Sequence, residues 1–371
     1  MRSRSLSHKI LSNHKCGRCD DSALLNTSSL ARIHGEPLCH AAIKNTAADF
    51  RVYEELDIAF SGDGEHVWLR IQKTGLNTAD VVAVLAEHLS VKAADIGYSG
   101  MKDKQAVTEQ WFSVCTPADI ADSDVLSSFG PELVVLDVQR HSRKLRHSTH
   151  DANTFCIVLR DIEWIDDADQ TAFALRVEQL AANGFANYLG PQRFGFGGQN
   201  LKRAEAWFRQ PKKRVSRQQR SLYLSAARSA LFNAVCDARV RAGLWTSAMP
   251  GEPLVLDGSR SFFVPDTIDG EVLERMAKHD VHPSGPWWGR GESLASDQCA
   301  EFEGTTLADA RWQGLCQGLS GNRLDQDRRA LRAIPRNMSL NWLSDNECEL
   351  QFSLAPGVFA TMLLHELIVE T

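Results

Sequence analysis

"GYSGMKDKQAVTEQWFS", Gly97 to Ser113, joins two kinds of sequence. Its first half is small and flexible. Its second half, Val107-Thr108-Glu109-Gln110-Trp111-Phe112, has the β-branched and aromatic residues of a strand. Between them Lys102-Asp103-Lys104 sets one carboxylate between two ammonium groups, at the lip of that strand. Asp in a polar turn is ordinarily a surface residue. Here the flanking lysines favour its charged form, and Gly97 and Gly100 let the backbone come close to another molecule. An ionised Asp so placed suits a nucleophile or a base, and the residues alone do not choose between them.

Outward from this stretch, strands and helices alternate irregularly. Ala48–Glu55 reads as a strand around Phe50 and Val52, and His66–Gln72 as another with Val67, Leu69 and Ile71 on one face. Asn77-Thr78 supplies a helix N-cap, followed by a stripe of Val81, Val82, Leu85 and Leu89. Further strands are expected at Thr108–Cys115, Leu133–Arg140 and Phe155–Asp161, and a helix at Ala168–Ala182. The glycine-rich "GFANYLGPQRFGFGGQN", Gly184 to Asn200, breaks this rhythm and opens a helix-rich section with helices at Leu201–Arg209 and Ser221–Ala242. Strand character returns at Cys348–Leu354, before a last helix from Val358. The expected organisation is a polar tail over residues 1–35, a strand-rich domain over 36–183, an inserted domain over 184–333, and a return to the first domain over 334–371.

At 371 residues, 43% hydrophobic and 24% charged, the chain has the composition of a globular protein of about two domains. Its most apolar segment, Val358–Val369, is interrupted by His365 and Glu366, so no membrane span is expected. The N-terminus has basic residues with no apolar core behind them, unlike a secretory signal. Nine scattered cysteines suit a reducing compartment, and the cytoplasm is the expected location. Cys16 and Cys19 have metal-ligand spacing, but no second pair follows, so no metal is expected. Gly195-Phe196-Gly197-Gly198 lacks the dinucleotide fingerprint, and no P-loop, nucleophile elbow or zinc-protease helix occurs.

The net charge of −6 argues against a nucleic-acid partner, but its distribution argues the other way. Basic residues cluster from Lys202 to Arg220, from Arg140 to Arg146, and from Arg323 to Arg336. Three such clusters on an acidic chain suggest a directed positive surface, whose natural partner is a polyanion.

The opening stretch resembles the Gly-x-Lys-Asp-(Lys/Arg)-x-Ala-x-Thr-x-Gln-Trp signature of the tRNA pseudouridine synthase D family. "NYLGPQRFG", Asn187 to Gly195, is similar to a second signature of that family, with Leu189 where an aromatic is usual. "GLNT" (Gly75–Thr78), "RHSRKLR" (Arg140–Arg146), "SLYLSAARSALFN" (Ser221–Asn233) and "PGVFAT" (Pro356–Thr361) match in the expected order, so the likeness runs from about residue 33 to the C-terminus. The resemblance implies an α/β (α+β) pseudouridine synthase fold, a mixed, mainly antiparallel sheet flanked by helices, with an inserted α/β domain. It implies isomerisation of a uridine in tRNA, at position 13 of the D-arm, without metal, nucleotide or redox cofactor. A monomer is expected.

The same resemblance assigns residues. Asp103 falls on the catalytic Asp. Lys44 falls where a basic residue pairs with it, and Phe50 and Phe359 fall on aromatics that contact the target base. Asn153 and Phe155 fall on an amide for the uracil edge and a buried aromatic. Arg193, Lys212, Lys213 and Arg214 would contact RNA. Two rival readings are a non-catalytic RNA-binding protein or RNA chaperone on the same scaffold, and a nucleoside hydrolase using Asp103.

Overall fold

The computed structural model describes residues 29–116, 129–147, 149–210 and 214–371. Among them ten strands share one sheet. In chain order these are β1 (Cys39–Ala42), β2 (Phe50–Glu55), β3 (His66–Thr74), β4 (Ile96–Tyr98), β5 (Val107–Cys115), β6 (Leu133–His141), β7 (Ala152–Trp164), β8 (Arg336–Ser344), β9 (Glu347–Leu354) and β10 (Ile368–Glu370). The spatial order is β8-β9-β7-β2-β5-β3-β6, with β4 on β5, and β1 between β7 and β10. All these pairings are antiparallel except β2 with β5 and β1 with β10. The sheet is therefore mixed and mainly antiparallel, as the sequence implied.

Alternation places the core. Val67, Leu69 and Ile71 of β3 and Phe112 and Val114 of β5 are buried against Val81, Val82 and Leu85 of helix α1 (Thr78–His88). Asn77 starts this helix, its backbone N–H donating to the Asp80 carboxylate at 2.8 Å. On the opposite face Trp68 and Trp111 pack with Leu145. A larger core lies under β2, β7 and β9, where helix α2 (Gln170–Asn183) buries Phe173, Val177 and Leu180. The edge strand β8 has no fully buried residue. Its Met338, Leu340 and Trp342 alternate, and Trp342 packs on Trp164 and Phe173.

Between β7 and β8 lies the helix-rich section. It begins and ends as one two-stranded clasp, Phe185 pairing with Ala333 and Ala186 with Arg332. Helices α3 (Gln199–Phe208) and α4 (Arg217–Arg241) pack there with a helix at Ala310–Ser320. Buried ion pairs join its parts, Arg239 to Glu252 at 3.2 Å and Arg328 to Glu303 at 2.6 Å. Part of the third basic cluster is thus internal. Arg328 is spent on Glu303, and Arg332 donates to His282 Nδ1 and the Met276 carbonyl. Runs of charge in sequence do not distinguish a solvated cation from one turned inward by strand alternation.

Candidate active site

Asp103 stands on the loop between β4 and β5, four residues before β5 begins. The loop is held by polar groups buried beneath it. Lys73, at the end of β3, has no exposed surface, and its ammonium donates to the carbonyls of Leu76 and Asp103, both at 2.7 Å. Burial pushes its pKa down to about 8, against the opposing pull of Asp103. The Lys102 backbone N–H donates to the Thr78 hydroxyl at 3.0 Å. That hydroxyl donates to Gln110 Oε1, and Gln110 Nε2 reaches the Gly100 carbonyl. Gly97 admits no side chain, because a Cβ there would lie 2.3 Å from the Leu145 carbonyl oxygen. The Asp103 carboxylate is delivered outward, its side chain 47% exposed.

The ammonium that meets this carboxylate belongs to Lys44. Its Nζ lies 3.6 Å from Asp103 Oδ2 and 4.1 Å from the centroid of the Phe50 ring. Lys44 holds a left-handed backbone, φ 60°, uncommon for a residue with a side chain. Phe50, only 2% exposed, meets Phe155 edge to face at 6.1 Å, and Phe155 stacks on Phe352. The flanking lysines do not cradle Asp103 as the sequence suggested. Lys104 is exposed. Lys102 is buried and turned the other way, its Nζ 3.2 Å from Glu54 Oε2 and hydrogen-bonded to Asn153 Oδ1. Burial lowers the Lys102 pKa, opposed by Glu54. The reason is local: the buried Glu54 carboxylate and Asn153 amide draw the Lys102 ammonium inward, while Lys104 faces solvent.

Phe359 enters from the end of β9. Asn153 on β7 pairs with Leu354 on β9, so the chain leading to Phe359 leaves the sheet at the Asn153 end. The Arg193 guanidinium lies over the Phe359 ring at 5.4 Å and donates to the Ser225 hydroxyl at 3.2 Å, with its pKa lowered by burial. Arg329 ties the two sides together, donating to Asn187 Oδ1 at 2.6 Å and to the Gly357 carbonyl at 3.0 Å. Leu189, in the aromatic's usual place, is buried, its backbone clasped on both sides by the Asn233 amide.

The structure thus gathers Lys44, Phe50 and Asp103, links Phe50 to Phe155, and sets Phe359 with Arg193. Arg214 is exposed just before α4, while Lys212, Lys213, Cys16 and Cys19 lie outside the described residues. Sequence pattern marks Lys73 and Glu54 only as charged residues recurring on an otherwise apolar face, and Thr78 only as a helix start. One group of three metal-capable residues, Glu65, His66 and Cys115, comes together among the described residues, at the end of the β3–β5 pair away from Asp103. No described helix is long and apolar enough to cross a membrane.

A family model described as tRNA pseudouridine synthase D (TruD) matches residues 30–203 and 198–367. A tRNA pseudouridine synthase D of Methylococcus capsulatus is 41% identical, over 91% of this chain and 94% of its own length. One from Proteus mirabilis is 38% identical over the same shares. A solved structure from Methanosarcina mazei, assigned to the same family, superposes with a TM-score of 0.67 over 92% of this chain and 96% of its own. At 18% identity that likeness speaks for the fold alone.

Proposed function

The chain belongs to the tRNA pseudouridine synthase D family, and from that premise we propose that it isomerises a uridine of tRNA to pseudouridine, at position 13 of the D-arm, with Asp103 as the catalytic carboxylate. The observation that carries the reading is the exposed Asp103 carboxylate beside the Lys44 ammonium and the Phe50 ring. The reaction breaks the bond from C1′ of the ribose to N1 of uracil and forms one from C1′ to C5. The proton leaves C5, and N1 ends protonated. Asp103 serves it by attacking C1′ or by taking a sugar proton to form a glycal; both routes use the same ionised group. Lys44 sits where it stabilises negative charge on the carboxylate.

The base must leave its stack to be reached, and aromatic contacts offset that cost. Phe50, Phe155 and Phe359 are proposed for this, with Asn153 at the uracil edge. Phe50 is covered by Lys44, so its engagement requires the ammonium to move aside. We read residues 184–333 as the inserted domain, supported by the clasp that closes its two ends. Arg193, Lys212, Lys213 and Arg214 would hold phosphates. No metal or nucleotide cofactor enters this scheme, and a cytoplasmic monomer is its simplest setting.

The test is conversion of uridine in an unmodified tRNA transcript, read by pseudouridine mapping and by the absence of any mass change. Formation at position 13 supports the full reading. Modification elsewhere corrects the site, and binding without isomerisation favours a non-catalytic RNA-binding protein.

A further inference from the structure

We propose that the buried Glu54–Lys102 pair locks the Asn153 side-chain amide with its NH2 facing the target base, so that the pocket reads a carbonyl acceptor and rejects the amino group of cytosine. The proposal rests on the function given above. An ammonium has donors and no acceptor. The Asn153 atom that meets Lys102 Nζ is therefore its carbonyl oxygen, and the amide nitrogen must point elsewhere. That nitrogen donates to no group among the described residues, and Asn153 is partly exposed.

The lock is rigid because each member is held from behind. The Glu54 side chain has no exposure and that of Lys102 only 5%, with 3.2 Å between their charges. Glu54 Oε1 accepts the Trp111 backbone N–H at 3.0 Å, which fixes the carboxylate in turn. The Asn153 backbone is paired on both sides, with Glu54 on β2 and Leu354 on β9. Phe155 follows two residues later on the same face of β7, its ring against Phe50. Asn153 thus shares a face of β7 with the aromatic group, and its NH2 has no partner among the described residues.

Uracil and cytosine have similar shapes but opposite polarity at C4, a carbonyl acceptor in one and an amino donor in the other. An amide free to rotate would serve both bases. One locked by an ammonium serves only the acceptor and leaves a cytosine amino group facing donors. Lys102 is on this account a positioning residue for specificity, distinct from Asp103.

The experiment compares dissociation constants for two tRNA transcripts that differ only in uridine or cytidine at the modified position. Asp103→Asn protein prevents turnover and serves as the background for every variant. We expect it to favour the uridine tRNA by about tenfold, near 1.4 kcal/mol. The ratio should fall to about one in Glu54→Gln/Lys102→Met, which removes both buried charges together, and in Asn153→Ser, which removes the amide and leaves the pair intact. In Glu54→Gln/Lys102→Met the cytidine tRNA should tighten toward the uridine one, in Asn153→Ser the uridine tRNA should weaken toward the cytidine one, and the salt dependence set by phosphates should stay the same in both. An unchanged ratio in Asn153→Ser, or no preference in the Asp103→Asn background, overturns the proposal. Failure of otherwise wild-type protein to form pseudouridine in any transcript would instead overturn the function on which it rests.

Discussion

Asp103 carries two separate attachments: Lys73 grips its backbone carbonyl from below, and Lys44 meets its carboxylate from the solvent side. Replacing one should not reproduce the loss of the other. Asp103→Asn keeps the shape and the backbone and removes the charge, so pseudouridine formation should fall below detection in single-turnover assays. Melting temperature and tRNA affinity should stay near wild type, because an exposed loop side chain bears little core stability. Near-wild-type turnover would remove Asp103 from the chemistry. Lys73→Met acts through position. It leaves two carbonyls short of a donor at a site with no solvent, which costs about 1–3 kcal/mol. It should lower the melting temperature and, by loosening the loop, slow the chemical step by about 100-fold, with tRNA affinity preserved. An unchanged rate would make Lys73 purely structural. Asp103 was legible in the sequence because a charged triplet at a strand lip is unusual. Its partner Lys44 is marked only by the family resemblance: it stands 59 positions away (103 minus 44), and no local pattern places it ahead of Lys102 and Lys104.

The clasp that opens and closes the helix-rich section depends on one small residue. Gly184 lies at φ +77°, and a Cβ there would fall 2.3 Å from the Ala333 carbonyl oxygen and 2.5 Å from Ile334 Cδ1. Gly184→Ala should therefore combine a backbone penalty of about 1–3 kcal/mol with a steric one, and lower the melting temperature by several degrees. A variant melting within one degree of wild type would show that the clasp bends freely. Elements with a strong period were readable in advance. The alternation of Val67, Leu69 and Ile71 gave β3, and the α1 stripe gave its helix to within a residue or two. The apolar pattern marks only Phe155–Asp161, whereas β7 runs from Ala152 to Trp164 because three neighbours, β1, β2 and β9, pair along it. β8 has no evident strand pattern although Met338, Leu340 and Trp342 alternate, because its other positions are exposed and, Leu343 apart, polar. β1 and β10 are short strands defined by each other across 329 positions (Cys39 to Ile368), a pairing no local pattern announces.

Over the whole molecule, residues 29–38 act as a strap between the helix-rich section and the end of the chain. Ala31 donates to Asp237, and its carbonyl accepts the Tyr188 hydroxyl. His34 Nε2 donates to the Gly184 carbonyl at 2.9 Å, and Arg32 donates to the His365 carbonyl at 2.7 Å. At the centre sits Glu366, 1% exposed, its carboxylate accepting the backbone N–H groups of Ile33 and His34. Burial pushes its pKa up to about 7 from an ordinary 4.5, although those N–H groups and the nearby Arg32 and Arg176 pull it down. The folded state therefore holds a proton that the unfolded chain has lost between those two values. Glu366 then contributes stability that is full below about pH 4.5 and is lost as pH rises through 7, up to about 3 kcal/mol in all. Glu366→Gln keeps an acceptor oxygen for both N–H groups and cannot ionise. Its melting temperature should match wild type near pH 5 and exceed it increasingly up to pH 8. A difference constant across that range would mean that the two N–H groups and two guanidinium groups compensate the buried charge. The strap would then be insensitive to pH at this residue.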